Sequence, residues 1–408
     1  MKDAILILNA GSSSIKFAAF DAIFDAENET DQARLLTGAV TEIGSGKSGF
    51  VVADARTINS SHRKMAQKKR AVKDHAHGLQ IILDWLEQEA AHLHFVAAGH
   101  RVVHGGSIFS QPICVDKAVL AQLEALIPLA PLHQPYALYA MEILLQQRPE
   151  LMQVACFDTA FHSTMPEREK CFALPEKFYT EGIRRYGFHG LSYEYIVSKM
   201  PRYLAKNADG KVVIAHLGHG ASMCAVYKGK SVATSMSFTP LDGLPMGTRS
   251  GAIDPAIVLY LLTQGKTTDD VSDLLNHQSG LLGLSGISGD MQTLLASLDA
   301  KAMKAVDYFC YRICRELASL AAALGGLDAV VFTGGIGEQA AEVRENVCRE
   351  SSWLGIELDK KANLGNANRI STTDSQVSVW MIPTDEELVI ARHTQKLFRS
   401  QTGVTTAC

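Results

Sequence analysis

Residues 4–20 read Ala4-Ile5-Leu6-Ile7-Leu8-Asn9-Ala10-Gly11-Ser12-Ser13-Ser14-Ile15-Lys16-Phe17-Ala18-Ala19-Phe20. The run at 4–8 has strand length and no polar interruption, as a buried strand requires. The Gly/Ser turn at 9–14 is too short for a crossover, so 15–20 returns as a hairpin partner. The same grammar recurs at 212–215, with a turn at 216–222 and a return at 223–227. A third strand at 329–332 meets Thr333-Gly334-Gly335-Ile336-Gly337 and predicts a polar helix beginning near Glu338. The two hairpins lie about 210 residues apart, which points to a duplicated core.

Around these turns, apolar spacing predicts helices at 74–91, 117–126, 134–147, 193–200, 254–264 and 303–324. Strands alternating with helices make an α/β protein with mixed sheets. At 408 residues the chain is long enough for two domains. With 47% apolar and 20% charged residues it can bury ordinary globular cores. Its net charge of -4 argues against a general nucleic-acid binder, although local Arg and Lys clusters can still hold anions. The basic stretch 54–73 has no aromatics and reads as solvated surface. Eight scattered cysteines without a CxxC pair read as reduced thiols. A signal-peptide pattern and a span of roughly 18 apolar residues are both missing, so the expectation is a cytoplasmic protein without membrane partners.

Several motifs could carry chemistry. Gly44-Ser45-Gly46-Lys47-Ser48 resembles the end of a P-loop, but Thr41 stands where the first glycine belongs, so it reads as a hairpin turn. The 9–16 turn lets backbone N–H groups and hydroxyls approach phosphate, with Lys16 supplying a cation. In His100-Arg101-Val102-Val103-His104-Gly105-Gly106, Arg101 can grip a carboxylate or phosphate with two prongs. Leu132-His133-Gln134-Pro135, Cys156-Phe157-Asp158-Thr159-Ala160-Phe161-His162 and Arg185-Tyr186-Gly187-Phe188-His189-Gly190 set polar groups beside apolar ones. Met246-Gly247-Thr248-Arg249-Ser250-Gly251 adds a second arginine in a tight loop. Gly334 to Glu338 suits close approach to a nucleotide and also partly fits a dinucleotide fingerprint, without its opening βαβ unit. Pro383-Thr384-Asp385-Glu386-Glu387 reads as a helix N-cap with acidic first-turn residues, which could also hold Mg²⁺ through water.

Taken in order, these motifs resemble the acetate/propionate kinase family over nearly the whole chain. The resemblance implies two duplicated ribonuclease H-like domains of the acetate and sugar kinase/heat-shock/actin type, with an interdomain cleft. It places one domain at 1–158, completed by about 390–408, and the other at 159–389. It implies reversible, Mg²⁺-dependent transfer of the ATP γ-phosphoryl to acetate, with Mn²⁺ as an alternative ion, in a homodimer. Arg101, Asp158, His189 and Arg249 would be catalytic. Val103, Leu132, His133, Phe188 and Pro240 would line the acid slot with Arg101. Ser12, Ser14, Lys16, His216, Gly218, His219, Gly220, Asp290, Met291, Gln292, Gly334, Gly335, Ile336, Gly337 and Gln339 would meet the nucleotide. Asn9 and Glu386 would hold the metal.

The chain departs from the family pattern at His219, Met291-Gln292, Gln339, Asp385 and Ala252, mostly on the nucleotide side, which bears on the choice between ATP and GTP. A carboxylic acid, with a pKa of roughly 4 to 5, is ionised at neutral pH and needs charge neutralisation rather than a base. Asp158 is therefore read as orienting Arg101 or a metal-bound water. Propionate or another short acid is the alternative substrate. A nucleotide switch of the actin type would have no use for Arg101, Arg249 and His189, and a nicotinamide dehydrogenase rests on the fingerprint alone.

Overall fold

The computed structural model describes residues 1–11, 14–24, 33–44, 48–54, 66–69 and 72–402. Ser12, Ser13, residues 45–47 of the P-loop-like stretch and most of the basic stretch 54–73 lie outside the described residues. The chain divides into two compact units, Met1–Ala160 with Asp385–Cys408, and Phe161–Thr384.

The first unit holds an eight-stranded sheet. Its strands are β1 Lys2–Ala10, β2 Ile15–Asp21, β3 Arg34–Thr41, β4 Gly49–Asp54, β5 Ala66–Lys69, β6 Leu93–Val102, β7 Ile113–Cys114 and β8 Met152–Phe157, in the order β5-β4-β3-β2-β1-β6-β8-β7. Strands β1 and β2 form the expected hairpin, antiparallel with Asn9 opposite Lys16. Strands β3 and β4 also pair antiparallel, Thr41 opposite Gly49, as a hairpin reading of the stretch between them requires. Leu6, Leu8, Ile15 and Phe17 share one buried core with Leu79, Ile82 and Leu86 of helix His75–Glu89. On the opposite face helix Glu386–Thr402 lies close, because β6 has glycine there: a Cβ on Gly99 would come within 2.3 Å of Thr394 Oγ1 and 2.6 Å of Ile390. That close approach seats the helix against β6.

The second unit holds five strands, β9 Lys211–Leu217, β10 Ala221–Tyr227, β11 Lys230–Thr234, β12 Ala329–Thr333 and β13 Ser378–Met381, in the order β11-β10-β9-β12-β13. Strand β10 is antiparallel to β9 and to β11, whereas β12 is parallel to β9 and to β13. In the first unit β2 is likewise antiparallel to β1 and β3, while β6 is parallel to β1 and β8. The run β3-β2-β1-β6-β8 of the first sheet thus matches β11-β10-β9-β12-β13 strand for strand, so the core is duplicated. Val212, Ile214, Cys224, Ala329 and Val331 bury one face under Tyr193, Ile196, Met200 and Leu204 of helix Gly190–Leu204. Helix Ala300–Leu324 packs on the sheet with buried Phe309, Ile313, Leu317 and Leu320, and ends at Gly325 with φ 68°.

Three helix starts differ from the sequence expectation, one of them that of helix Ala300–Leu324, which opens three residues before 303 behind its cap Asp299. The polar helix near Glu338 is preceded by a short helix, Gly334–Gln339, before helix Ala341–Glu350. Gly334 takes φ 77° and packs on the Leu217 backbone, so the chain turns into a helix at once. Helix Gly190–Leu204 starts three residues early and continues past Pro201, whose missing N–H falls near the helix end.

Helix Pro255–Thr263 buries none of its side chains, though it reads Pro-Ala-Ile-Val-Leu-Tyr-Leu-Leu-Thr. Leu259 is 64% and Tyr260 62% exposed, and Ile253, Ile257, Met303, Tyr308 and Tyr311 are exposed in the same unit. No helix among the described residues is long and apolar enough to cross a membrane.

Candidate active site

In the first unit, the ends of β1, β6 and β8 bring a charged group together. Strand register sets Leu8 beside His100, so the next residues, Asn9 and Arg101, are neighbours. Arg101 Nε donates to Asp158 Oδ2 at 3.0 Å and Nη2 to the same oxygen at 2.5 Å, while Nη1 reaches Asn9 Oδ1 at 3.3 Å. Glu386 Oε2 lies 3.9 Å from Arg101 Nε. Burial by itself would lower the Arg101 pKa, but Asp158 and Glu386 outweigh it and raise the pKa, so the guanidinium is a permanent cation. Asp158 is fully buried and engaged with Arg101.

The residues on either side of Glu386 are held by an arginine that sequence reasoning missed. Arg34, at the start of β3, grips Asp385 with Nη2 at 2.6 Å from both oxygens and also pairs with Glu387. Asp385 Oδ1 accepts from Leu388 N at 3.0 Å, so it caps the helix as its sequence context suggests. Nothing in the local sequence around Arg34 signals this clamp.

Lys16 projects from the same face of the hairpin as Asn9 and is exposed. Gly11 N donates to Ser14 O at 2.8 Å, closing the turn. Val103 is buried beyond β6, and Leu132 and His133 are half-buried. The Gln134 side chain ties the two segments, accepting from His104 N at 3.1 Å and donating to His104 O at 3.0 Å.

In the second unit, His189 and Arg249 converge on one glycine. A Cβ placed on Gly220 would lie 3.2 Å from His189 Nε2 and 3.8 Å from Arg249 Nη2. His189 holds φ 58° at the head of helix Gly190–Leu204, a left-handed position that non-glycine residues seldom take. Its Nδ1 is paired with Ser222 Oγ at 2.8 Å, and that hydroxyl with Tyr193 OH at 2.5 Å. With Nδ1 engaged, Nε2 is the atom that faces Gly220. Arg249 Nη1 donates to Pro240 O at 2.9 Å, which joins two of the residues singled out in the sequence. Phe188 is buried, and its carbonyl accepts from His162 Nε2 at 2.9 Å. A carbonyl can only accept, so His162 carries its proton on Nε2; burial lowers its pKa to about 4 and keeps the ring neutral.

The glycine turns stack beside this pair. The His216 ring lies 4.3 Å from that of His189, and His216 Nδ1 is paired with Ser192 Oγ at 2.8 Å. Gly218 lies close to Gly335, whose N would be 3.9 Å from a Cβ on Gly218. Nothing lies within 4 Å of a Cβ on Gly335, so that glycine faces open space. His219 packs on Gly247, whose Cβ would sit 2.6 Å from the imidazole, with Arg249 and Asp290 as its charged neighbours. Asp290 caps the following helix through Thr293 N at 2.8 Å. Gln292, Gln339 and Asp290 are exposed and Ile336 is half-buried, whereas Met291 turns its side chain into the core. Met291 therefore offers a nucleotide its backbone alone. Glu338 Oε1 accepts from Gly334 N at 3.0 Å and Thr384 N at 3.1 Å, a clamp on the loop.

Residues 4–392 match the family model described as the acetokinase family. The chain is 50% identical over 403 residues to an acetate kinase of Rhodopseudomonas palustris, covering 97% of this chain and 99% of that one. It is 48% identical over 398 residues to an acetate kinase of Methylocella silvestris, covering 97% and 98%. The fold superposes on a crystal structure of a propionate kinase from Francisella tularensis, with TM-score 0.86, 38% identity and 97% and 99% coverage. An acetate kinase from Porphyromonas gingivalis matches at TM-score 0.83 and 35% identity, with the same coverage. The two sheets thus form the duplicated α/β core of these kinases, and the chain belongs to the acetokinase family.

Proposed function

We propose that the protein transfers the γ-phosphoryl of ATP to acetate, reversibly, giving acetyl phosphate and ADP. A carboxylate oxygen attacks phosphorus in line as the bond to the β–γ bridging oxygen breaks. The observation that carries this reading is the meeting of His189 Nε2 and Arg249 Nη2 at Gly220, on a turn whose glycines admit phosphate. Those groups would take the charge that spreads over the moving phosphoryl, where most rate is gained. Arg101 would bind the carboxylate. Asp158, already engaged with Arg101, would hold that guanidinium in place and take no proton.

Mg²⁺ fits the first unit. Glu386 and the Asn9 amide flank Arg101, and a magnesium ion in phosphoryl chemistry takes one or two protein oxygens, with water and phosphate completing its shell. Among the described residues no cluster of three His, Cys, Asp or Glu is set to enclose a metal, in keeping with such an open site. Bound there, the ion would neutralise phosphate charge. Gly218, Gly335 and Asp290 of the second unit are the nucleotide contacts of this reading, and Ser14 and Lys16 of the first are its phosphate contacts. Val103, Leu132 and His133 of the first unit, and Phe188 and Pro240 of the second, are the residues this reading gives to the acid.

The two compact units would be the two domains of the family. The uncovered apolar face of helix Pro255–Thr263 supports a homodimer, since exposed patches of this kind mark association surfaces. The cytoplasm, where ATP is plentiful, is the compartment this chemistry needs. Propionate is the second reading, because a structural relative at 38% identity is a propionate kinase. A hydroxamate trapping assay with ATP and Mg²⁺, run over acids of one to four carbons, tests both. Acetate should lead; a lead for propionate would favour the second reading, and no acyl phosphate from any acid would end the proposal.

A further inference from the structure

We infer that Arg344 is a positioning residue for nucleotide binding, a role that rests on the reading of the Gly334–Gln339 turn as the nucleotide loop. Arg344 is among the largest fully buried side chains of the described residues. All five of its N–H groups donate to neutral oxygens. Nη1 reaches Gly337 O at 2.9 Å and Glu338 O at 2.8 Å. Nε reaches Asn363 Oδ1 at 2.8 Å, and Nη2 reaches Asn363 O at 2.9 Å and Asn366 Oδ1 at 2.6 Å.

The placement answers a specific need. A helix of six residues, Gly334–Gln339, leaves most of its C-terminal carbonyls without an internal partner. Those carbonyls carry partial negative charge, and a buried cation satisfies them. Asn363 sits in the last turn of helix Lys360–Leu364, so the same guanidinium joins two helix ends. Asn363 Nδ2 donates to Ala341 O at 2.9 Å, closing the frame around the arginine. At the other end of the short helix Glu338 holds Gly334 N. The exposed face of Gly335 is thus held from both ends.

A lysine cannot replace this fork, because it offers three donors from one point rather than five in a plane. Arg344→Lys keeps the charge and much of the volume. It should raise the KM for ATP and the Kd for a fluorescent ADP analogue about tenfold, the scale of one or two lost hydrogen bonds. The KM for acetate should stay within about twofold, since no bond of Arg344 reaches a slot residue. Asn366→Ala, which leaves the arginine in place and removes one acceptor, should give a smaller change with the same split, and serves if the lysine variant does not fold. Equal rises in both KM values, or no rise in the nucleotide Kd in either variant, would overturn the inference. Direct ADP-analogue binding keeps this test separate from the acyl phosphate assay: a wild type that binds nucleotide but phosphorylates no acid would refute the reaction and leave the Arg344 test standing.

Discussion

The hairpin β1–β2 and the hairpin β9–β10 occupy equivalent places in duplicated sheets, yet their turns carry different chemistry. The first turn is flanked by Asn9, Lys16 and an arginine set between two carboxylates. The second is flanked by three histidines and an arginine that lean on glycines, with Asp290 the acid among His219's charged neighbours. On the proposed reading the first turn serves the metal ion and the acid, with Ser14 and Lys16 given to phosphate, and the second serves the phosphoryl in transit. The scaffold fixes where a turn can bind; the residues that end neighbouring strands decide what it binds.

The largest expected effects test whether both halves act in the reaction. Arg101→Ala and Arg249→Ala should each lower kcat by about 10²–10³, the loss typical of one donor facing developing charge. Circular dichroism and thermal unfolding should stay close to wild type for Arg249→Ala. Arg101→Ala removes the cation that buried Asp158 pairs with, so it should also lose stability. If Arg249→Ala turns over at the wild-type rate, the second hairpin has no catalytic part and the comparison fails.

Acid should unsettle both units through buried imidazoles. Burial lowers the pKa of His100, His104 and His162 to about 4 each. In the unfolded chain each would titrate near 6.5, so between those values the unfolded state binds more protons and stability falls as pH drops. The loss per ring is up to about 3 kcal/mol, complete near pH 4 and absent above pH 7. Urea midpoints at pH 7, 5.5 and 4.5 should fall in that order. A flat profile would mean that these rings are not held neutral.

The fold was legible because both hairpins announce themselves as apolar runs broken by Gly/Ser or His/Gly turns, and because helix ends carry ordinary signals such as Asp74, Asp254 and Gly325. Arg101, His189 and Arg249 stood in quotable motifs. What stayed hidden acts across sequence distance. Arg34 meets Asp385, and Arg344 meets Asn363 and Asn366, through side chains that no local pattern links. The Gly334–Gln339 helix was missed because glycine argues against helix, and only the Leu217 backbone beneath Gly334 explains why it is required there. Ser222 was invisible for the same reason, since its partner His189 lies 33 residues away.

Ser222→Ala sharpens the contrast at the phosphate-facing turn. It removes the hydroxyl paired with His189 Nδ1 and so loosens the hold on the imidazole. A loss of about tenfold in kcat is expected, the worth of roughly one hydrogen bond to a reacting group. Tyr193 would also lose its partner, and its phenol is fully buried with a pKa raised by burial, so Tyr193→Phe in the same background should recover stability without recovering rate. Recovery of both together would assign Ser222 to packing alone.

The smallest effect belongs to the other turn. Asp385→Asn keeps an oxygen to cap the helix but removes one of the two carboxylates on Arg34. Partly exposed pairs of this kind contribute about 1 kcal/mol or less, so unfolding should shift only slightly. The informative readout is the Mg²⁺ concentration giving half-maximal rate. Glu386 lies between the two residues Arg34 holds, and loosening one should raise that concentration about twofold while the KM for ATP is unchanged. A drop in acetate affinity instead would mean that the clamp serves Arg101 rather than the metal, and would move Glu386 from the metal to the acid side of the first turn.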